Sequence, residues 1–227
     1  MSQSDYNAAE RRPIAARELA VFQKLAAWLA DLGASPNGIS VAGMIAALIG
    51  GVAFWATSQG TPYTRLFWLA AALLTQLRLL ANMLDGMVAI RRNLASPLGE
   101  LYNEVPDRIS DAALLIGVGL ASGGQLLLGF GAALAAVFTA YVRAMAKAAG
   151  APQNFCGPMA KQQRMFLITL VALYQGLAPA AWQPTWNLGD EKLGVAALAL
   201  AIILIGSSFT AFRRLARAAR FLRMSRP

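Results

Sequence analysis

A chain of 227 residues that is 57% hydrophobic and only 14% charged is too apolar for a soluble domain, in which about a quarter of the residues are charged. A single cysteine and no histidine exclude an intrachain disulfide and the common zinc sites. The net charge of +9 has to be explained by where the cations fall, and they flank long apolar runs. The expected class is therefore an all-α integral membrane protein.

The opening MSQSDYNAAERRPIAARELA is polar and holds acids before any apolar run, unlike a signal peptide, so insertion is expected to use the first spanning helix. Ile14, Leu19, Val21, Phe22, Leu25, Trp28 and Leu29 then recur near helical spacing, with Arg17, Glu18, Gln23, Lys24 and Asp31 between them. That pattern suits an amphipathic helix lying in the membrane interface, or equally a helix packed on the bundle. Leu32-Gly33 supplies a stop. Ser35-Pro36-Asn37-Gly38-Ile39-Ser40 is a turn into the first span, with Ser35 or Asn37 placed to cap it.

Six stretches are long and apolar enough to be predicted as transmembrane helices: Ile39 to Ser58, Leu66 to Ile90, Leu98 to Leu120, Leu126 to Met145, Met165 to Ala181 and Leu193 to Phe212. The closing FRRLARAARFLRMSRP is basic and reads as a lipid-facing anchor. The expected organisation is an N-terminal interfacial helix over residues 1–34, a six-helix membrane domain over 35–213 and a basic tail over 214–227. Cys156 falls in a loop and has no chemical partner there.

With six spans, one face receives Arg11, Arg12, Arg17, Lys24, Arg91, Arg92, Arg143, Lys147, Lys161, Arg164 and the tail arginines, the other only Arg65 and Lys192. The positive-inside rule then places both termini in the cytoplasm. Trp55, Trp68, Trp182 and Trp186 fall near the opposite ends of their spans, as an interfacial aromatic belt requires. Topology and anionic lipid headgroups account for the charge, without a nucleic-acid partner.

The chemistry lies between the second and third spans. Arg78, Asn82, Asp85 and Ala89 stand at i, i+4, i+7 and i+11, along one helix face. Asn103, Asp107 and Asp111 follow at steps of four, and Glu104 shares a face with the last two. Carboxylates at membrane depth are costly unless cations offset them, so they are functional candidates. A hard divalent ion answers that problem, because oxygen ligands from Asp, Glu and Asn suit Mg²⁺ or Mn²⁺, commonly shared with substrate phosphates. The alternative is a web of structural ion pairs between Arg78, Arg108 and the acids. Gly86 and Gly99 permit close approach of a bulky ligand, and Pro106 removes one backbone donor from the third span.

These residues resemble the signature of the CDP-alcohol phosphotransferases, D-x-x-D-G-x-x-A-R followed after a spacer by G-x-x-x-D-x-x-x-D. Asp85, Gly86, Ala89, Gly99 and Asp107 stand at matching positions, and Asp111 falls where many members carry a further acid. Pro36 to Ser40 resembles the family's Pro-Asn-x-aliphatic-Thr segment, and Tyr141-Val142-Arg143-Ala144-Met145-Ala146-Lys147 resembles its basic fourth-helix end. Asn82 and Asn103 replace the first and third aspartates, and Ile90 stands where an arginine is expected, with Arg91 one place later. A divergent bacterial branch pairing N-x-x-D-G with N-E-x-x-D shares this pattern. The usual site has four carboxylates for two metals. Here Asp85 and Asp107 remain, with Asn82 and Asn103 as neutral ligands, and either Glu104 and Asp111 restore the charge or metal is held more weakly.

The resemblance implies transfer of a phosphatidyl group from a CDP-linked lipid such as CDP-diacylglycerol to a small alcohol, with release of CMP, in phospholipid biosynthesis. It implies Mg²⁺ or Mn²⁺ as cofactor, Asp107 as base for the acceptor hydroxyl with Glu104 in reserve, and Asn37, Ser40 and Gly86 beside the cytidine nucleotide. Arg78, Ala89 and Gly99 complete the expected substrate-binding set. Arg143, Lys147, Lys161 and Arg164 either form an anion pocket for a phosphorylated acceptor, such as glycerol 3-phosphate or inositol phosphate, or serve topology alone. A homodimer in the bacterial inner membrane, with the site facing the cytoplasm, is also implied. Two other classes stay open: a catalytically silent homologue that binds CDP-lipid or acts as a scaffold, and a small cation transporter, although transporters place such acids near the midplane in broken helices.

Overall fold

The structure, a computed structural model, describes residues 19–94 and 96–224. These form seven α-helices: α1 (Ala20–Asp31), α2 (Pro36–Ala56), α3 (Thr64–Arg91), α4 (Pro97–Leu120), α5 (Leu126–Ala148), α6 (Lys161–Leu177) and α7 (Val195–Met224). A 3-10 turn over Ala180–Trp182 and a hairpin of β1 (Thr185–Leu188) and β2 (Glu191–Gly194) precede α7. By packing, the chain divides into two compact units, one of Met1–Ala46 with Leu77–Ser110, the other of Ala47–Gln76 with Asp111–Pro227.

Each of the six apolar stretches holds a helix, although the fifth, expected to reach Ala181, ends at Leu177, and the sixth, expected from Leu193, starts at Val195 because Leu193 belongs to β2. Four helices, α2, α3, α5 and α7, are long and apolar enough to cross a bilayer. In α4 the charges Glu104, Asp107, Arg108 and Asp111 interrupt the apolar run, and α6 has 17 residues, so length and composition do not by themselves mark these two as spans.

In the first unit, α1 ends at Gly33, whose φ of 76° suits a residue without a side chain. Ala26 of α1 forms a buried cluster with Leu84 and Val88 of α3, edged by Leu25, Leu29 and Ala30. Arg92 then donates from Nη1 to the carbonyls of Gly33 and Ala34, each at 2.8 Å, and fixes the chain where it leaves α1. Val21, Trp28 and Leu32 remain more than half exposed on the same segment. Helix α1 thus packs on α3 with one edge, as the second alternative expects, and keeps an apolar edge outward. Ile14, Arg17 and Glu18 of the expected pattern lie outside the described residues. Pro36 starts α2, and Ser35 Oγ accepts from the Gly38 N–H at 3.4 Å, so the serine caps the helix.

In the second unit α2 and α4 cross backbone to backbone. A Cβ on Gly51 would lie 2.6 Å from the Ala113 carbonyl oxygen, and one on Gly117 would lie 2.6 Å from that of Gly51; small residues allow such approach where packing rather than water drives helix association. Helix α5 packs along α7, burying Ala132, Ala136 and Thr139 on one side and Leu200, Ile203 and Ser207 on the other.

Three features differ from expectation. Trp68 is 2% exposed and meets Phe54 edge-to-face at 5.6 Å, so it belongs to the core, whereas Trp55, Trp182 and Trp186 are exposed as a belt requires. The last helix does not stop at Phe212: Arg, Leu and Ala are strong helix formers, and they carry α7 to Met224, so the segment read as a tail is the end of that helix. The hairpin was not foreseen. It turns at Gly189, with φ of 60°, on strands of only four residues.

Candidate functional site

The polar face of α3 meets α2 and α4 inside the first unit. Ser40, one turn into α2, donates from Oγ to Asp85 Oδ2 at 2.5 Å, and the Gly86 N–H reaches Asp85 Oδ1 at 2.5 Å. Asn82, on the turn before, donates from Nδ2 to Asn103 Oδ1 at 2.7 Å and to Asp107 Oδ1 at 2.8 Å. One further turn back, Arg78 donates from Nη2 to the same Asp107 oxygen and forms an ion pair with it. Ser40, Arg78, Asp85 and Asp107 are all buried. Helical spacing delivers Arg78, Asn82 and Asp85 in successive turns of α3, and Asn103 and Asp107 in successive turns of α4.

The remaining candidates are placed as follows. Glu104 pairs with Arg108 at 2.7 Å along α4, both partly exposed. Asn37, Gly86 and Ala89 are half-buried. The Gly99 N–H is capped by Ser96 Oγ at 3.1 Å, and a Cβ there would meet nothing closer than 3.5 Å, so Gly99 is not needed for close packing within the protein. Asp111 belongs to the second unit, where it is buried and accepts from Arg164 Nη2 at 2.7 Å. Arg164 also donates from Nη1 to the Met159 carbonyl at 3.1 Å. In that unit Arg143 lies over the Phe155 ring at 5.5 Å, Lys161 opens α6 and is half-buried, and Lys147 is exposed in the last turn of α5. Arg214 escaped the sequence reading. It is 6% exposed and donates from Nε to the Cys156 carbonyl at 2.9 Å and from Nη1 to the Thr139 carbonyl at 3.3 Å. Its signal was the helical step from Ser207 through Thr210, hidden because the segment reads as a basic, lipid-facing anchor.

The chemistry of the donor set decides what ion it suits. Asp85 and Asp107 offer two carboxylates and Asn82 and Asn103 two amides, and no group of three or more His, Cys, Asp or Glu side chains converges among the described residues. That set fits one hard divalent ion completing its shell from substrate oxygens. It does not fit two ions held by carboxylates alone.

The model of the CDP-alcohol phosphatidyltransferase family matches residues 34–212. An archaetidylinositol phosphate synthase of Pyrococcus horikoshii is 23% identical over 156 residues, 69% of this chain and 78% of its own length. The inner membrane protein YnbA of Escherichia coli is 25% identical over 160 residues, 70% of this chain and 76% of its own. The crystal structure of Mycobacterium tuberculosis phosphatidylinositol phosphate synthase with CDP-DAG bound superposes with a TM-score of 0.70 at 18% identity, covering 88% of this chain and 94% of that one. The same enzyme in complex with manganese and citrate gives 0.68 at 18% identity, covering 87% and 88%. At these identities the solved structures establish a shared fold.

Proposed function

This chain belongs to the CDP-alcohol phosphatidyltransferase family, and from that premise we propose that it transfers a phosphatidyl group from CDP-diacylglycerol to a small alcohol and releases CMP. The observation that carries this reading is the convergence of buried Ser40, Arg78, Asp85 and Asp107 with half-buried Asn82 and Asn103, two carboxylates and two amides linked by hydrogen bonds, with the Arg78 guanidinium on Asp107. The multi-pass membrane character of the chain suits a lipid substrate, and the cation asymmetry in the sequence supports a site that opens to the cytoplasm.

A divalent ion, Mg²⁺ or Mn²⁺, held by Asp85, Asp107, Asn82 and Asn103 would polarise the phosphoryl oxygens and neutralise charge on the diphosphate. Ser40 and the Gly86 N–H orient Asp85 through its two oxygens. Arg78 sits beside Asp107 as a permanent cation, since a guanidinium stays protonated in proteins. Asp107 receives the proton of the acceptor hydroxyl. The alcohol oxygen then bonds to the phosphorus that carries diacylglycerol, the bond from that phosphorus to the bridging oxygen of CMP breaks, and CMP leaves with the electron pair. Little covalent chemistry is asked of the protein, because phosphoryl transfer depends on positioning and electrostatic stabilisation.

Purified protein incubated with labelled CDP-diacylglycerol, a panel of alcohols including phosphorylated ones, and either metal should yield CMP and a new phospholipid in equal amounts. Absence of CMP with every acceptor refutes the proposal. The amides at 82 and 103 favour one rival, a homologue that binds CDP-lipid without turning it over, and metal-dependent nucleotide binding without CMP would identify it.

A further inference from the structure

Arg78 is 1% exposed, and while Nη2 is bonded to Asp107, its Nε and Nη1 have no acceptor. Buried donors on a charged group are costly when unmatched, so a further anionic group is called for at this guanidinium. The guanidinium itself is seated by Gly43 of α2, where a Cβ would come within 2.9 Å of Arg78 Nη1. The charges of the cluster can be added directly. Asp85 and Asp107 contribute two negative charges, Asn82 and Asn103 none, and Arg78 one positive charge, while Arg108, 3.8 Å from Asp107 Oδ2, is offset by its 2.7 Å partner Glu104. The sum of −1 attracts a first divalent ion. With that ion in place the sum is +1, and in a buried site of low effective dielectric a second ion is repelled.

The next step rests on the reading of this cluster as a metal and diphosphate site. We infer that the Arg78 guanidinium supplies the fixed positive charge that a second divalent ion would otherwise bring, so that each chain binds one divalent ion and grips the diphosphate with that ion and Arg78 together. A two-ion site clamps both the attacking and leaving oxygens of a displacement. In this chain one half of that clamp is part of the polypeptide.

Mn²⁺ titrated into the full-length protein in detergent, followed by the electron paramagnetic resonance signal of the free ion, should saturate at one ion per chain, with or without CDP. Removing the cation in Arg78→Gln should tighten Mn²⁺ binding about tenfold and weaken CDP binding about tenfold, because the same charge repels one ligand and attracts the other. Arg78→Lys, which keeps the charge, should bind one Mn²⁺ and retain CDP affinity within about threefold. Zero or two ions per wild-type chain overturns the inference, as does Arg78→Gln with both affinities unchanged. Should Arg78→Gln fail to fold, the wild-type count and the Arg78→Lys titration decide. One bound ion without CMP release sinks the transfer reading and leaves this one standing; two bound ions with CMP release does the reverse.

Discussion

Gly43→Ala is a one-carbon perturbation aimed at the seat of Arg78. The added Cβ would lie 2.7 Å from the Ala81 Cβ and 2.9 Å from Arg78 Nη1, against the 3.5–4.0 Å or so of an ordinary carbon contact. Two ways out exist. If α2 and α3 move apart by about 1 Å, the cost is that of overpacking, about 1–3 kcal/mol. If the guanidinium moves instead and the Arg78–Asp107 pair opens, an uncompensated buried charge costs about 3–5 kcal/mol. For a chain of this length each kcal/mol lowers Tm by about 2–4 °C. Thermal unfolding in detergent should therefore fall by at least a few degrees, and CMP release should fall with it, since either escape disturbs the groups around Asp107. Gly38→Ala is the control, because its Cβ would meet nothing closer than 3.6 Å, and it should leave both measurements near wild type. Wild-type Tm and wild-type turnover in Gly43→Ala would refute the claim that this glycine holds the guanidinium in place.

Asp85→Asn and Asp107→Asn each remove one of the two cluster carboxylates with almost no change in shape, and each should cut CMP release by about a hundredfold or more while the protein still purifies folded; undiminished turnover in both would end the enzyme assignment. Arg164→Met removes the 2.7 Å ion pair to buried Asp111 and should lower stability by about 3–5 kcal/mol, whereas Arg164→Met with Asp111→Leu should recover most of that loss. A double variant no more stable in detergent than the single one would show that the pair is not what the single change breaks. Arg92→Ala removes both bonds to the carbonyls of Gly33 and Ala34; accelerated proteolysis between α1 and α2 is expected, and an unchanged digestion pattern counts against this anchor.

Much of the helical framework was legible because hydropathy and helical period act within a single segment. The first span was expected over 39–58 and found at Pro36–Ala56, the fourth over 126–145 and found at Leu126–Ala148. The end of α7 was missed for a physical reason. Loss of hydropathy after Phe212 marks where lipid contact ends, and nothing there terminates a helix until Met224. Trp68 was misplaced because position along a span says nothing about rotation around it, and the facing Phe54 decides that the ring turns inward. The four-residue strands on either side of Gly189 were too short to register as a period.

The site was legible in composition and only partly in connection. Spacing alone puts Arg78, Asn82 and Asp85 on one face of a helix, but it cannot assign partners, because each partner comes from a different helix. Ser40 binds Asp85 across 45 positions, and Gly43 makes room for Arg78 across 35. Asp111 shows the limit most clearly. Its step of four from Asp107 matches the step from Asn103 to Asp107, and it accepts from Arg164, 53 positions away, a partner that no spacing could assign. Asn82 and Asn103 alter the charge of the motif while keeping its hydrogen bonds. In the structure they are bonded to each other and, through Asn82, to Asp107, so the two amides preserve the link between α3 and α4 that repelling carboxylates at these positions could not make without a cation between them. With two carboxylates in place of four, this cluster closes on Arg78 as its fully buried cation, and the number of ions it then accepts follows from the charge that remains.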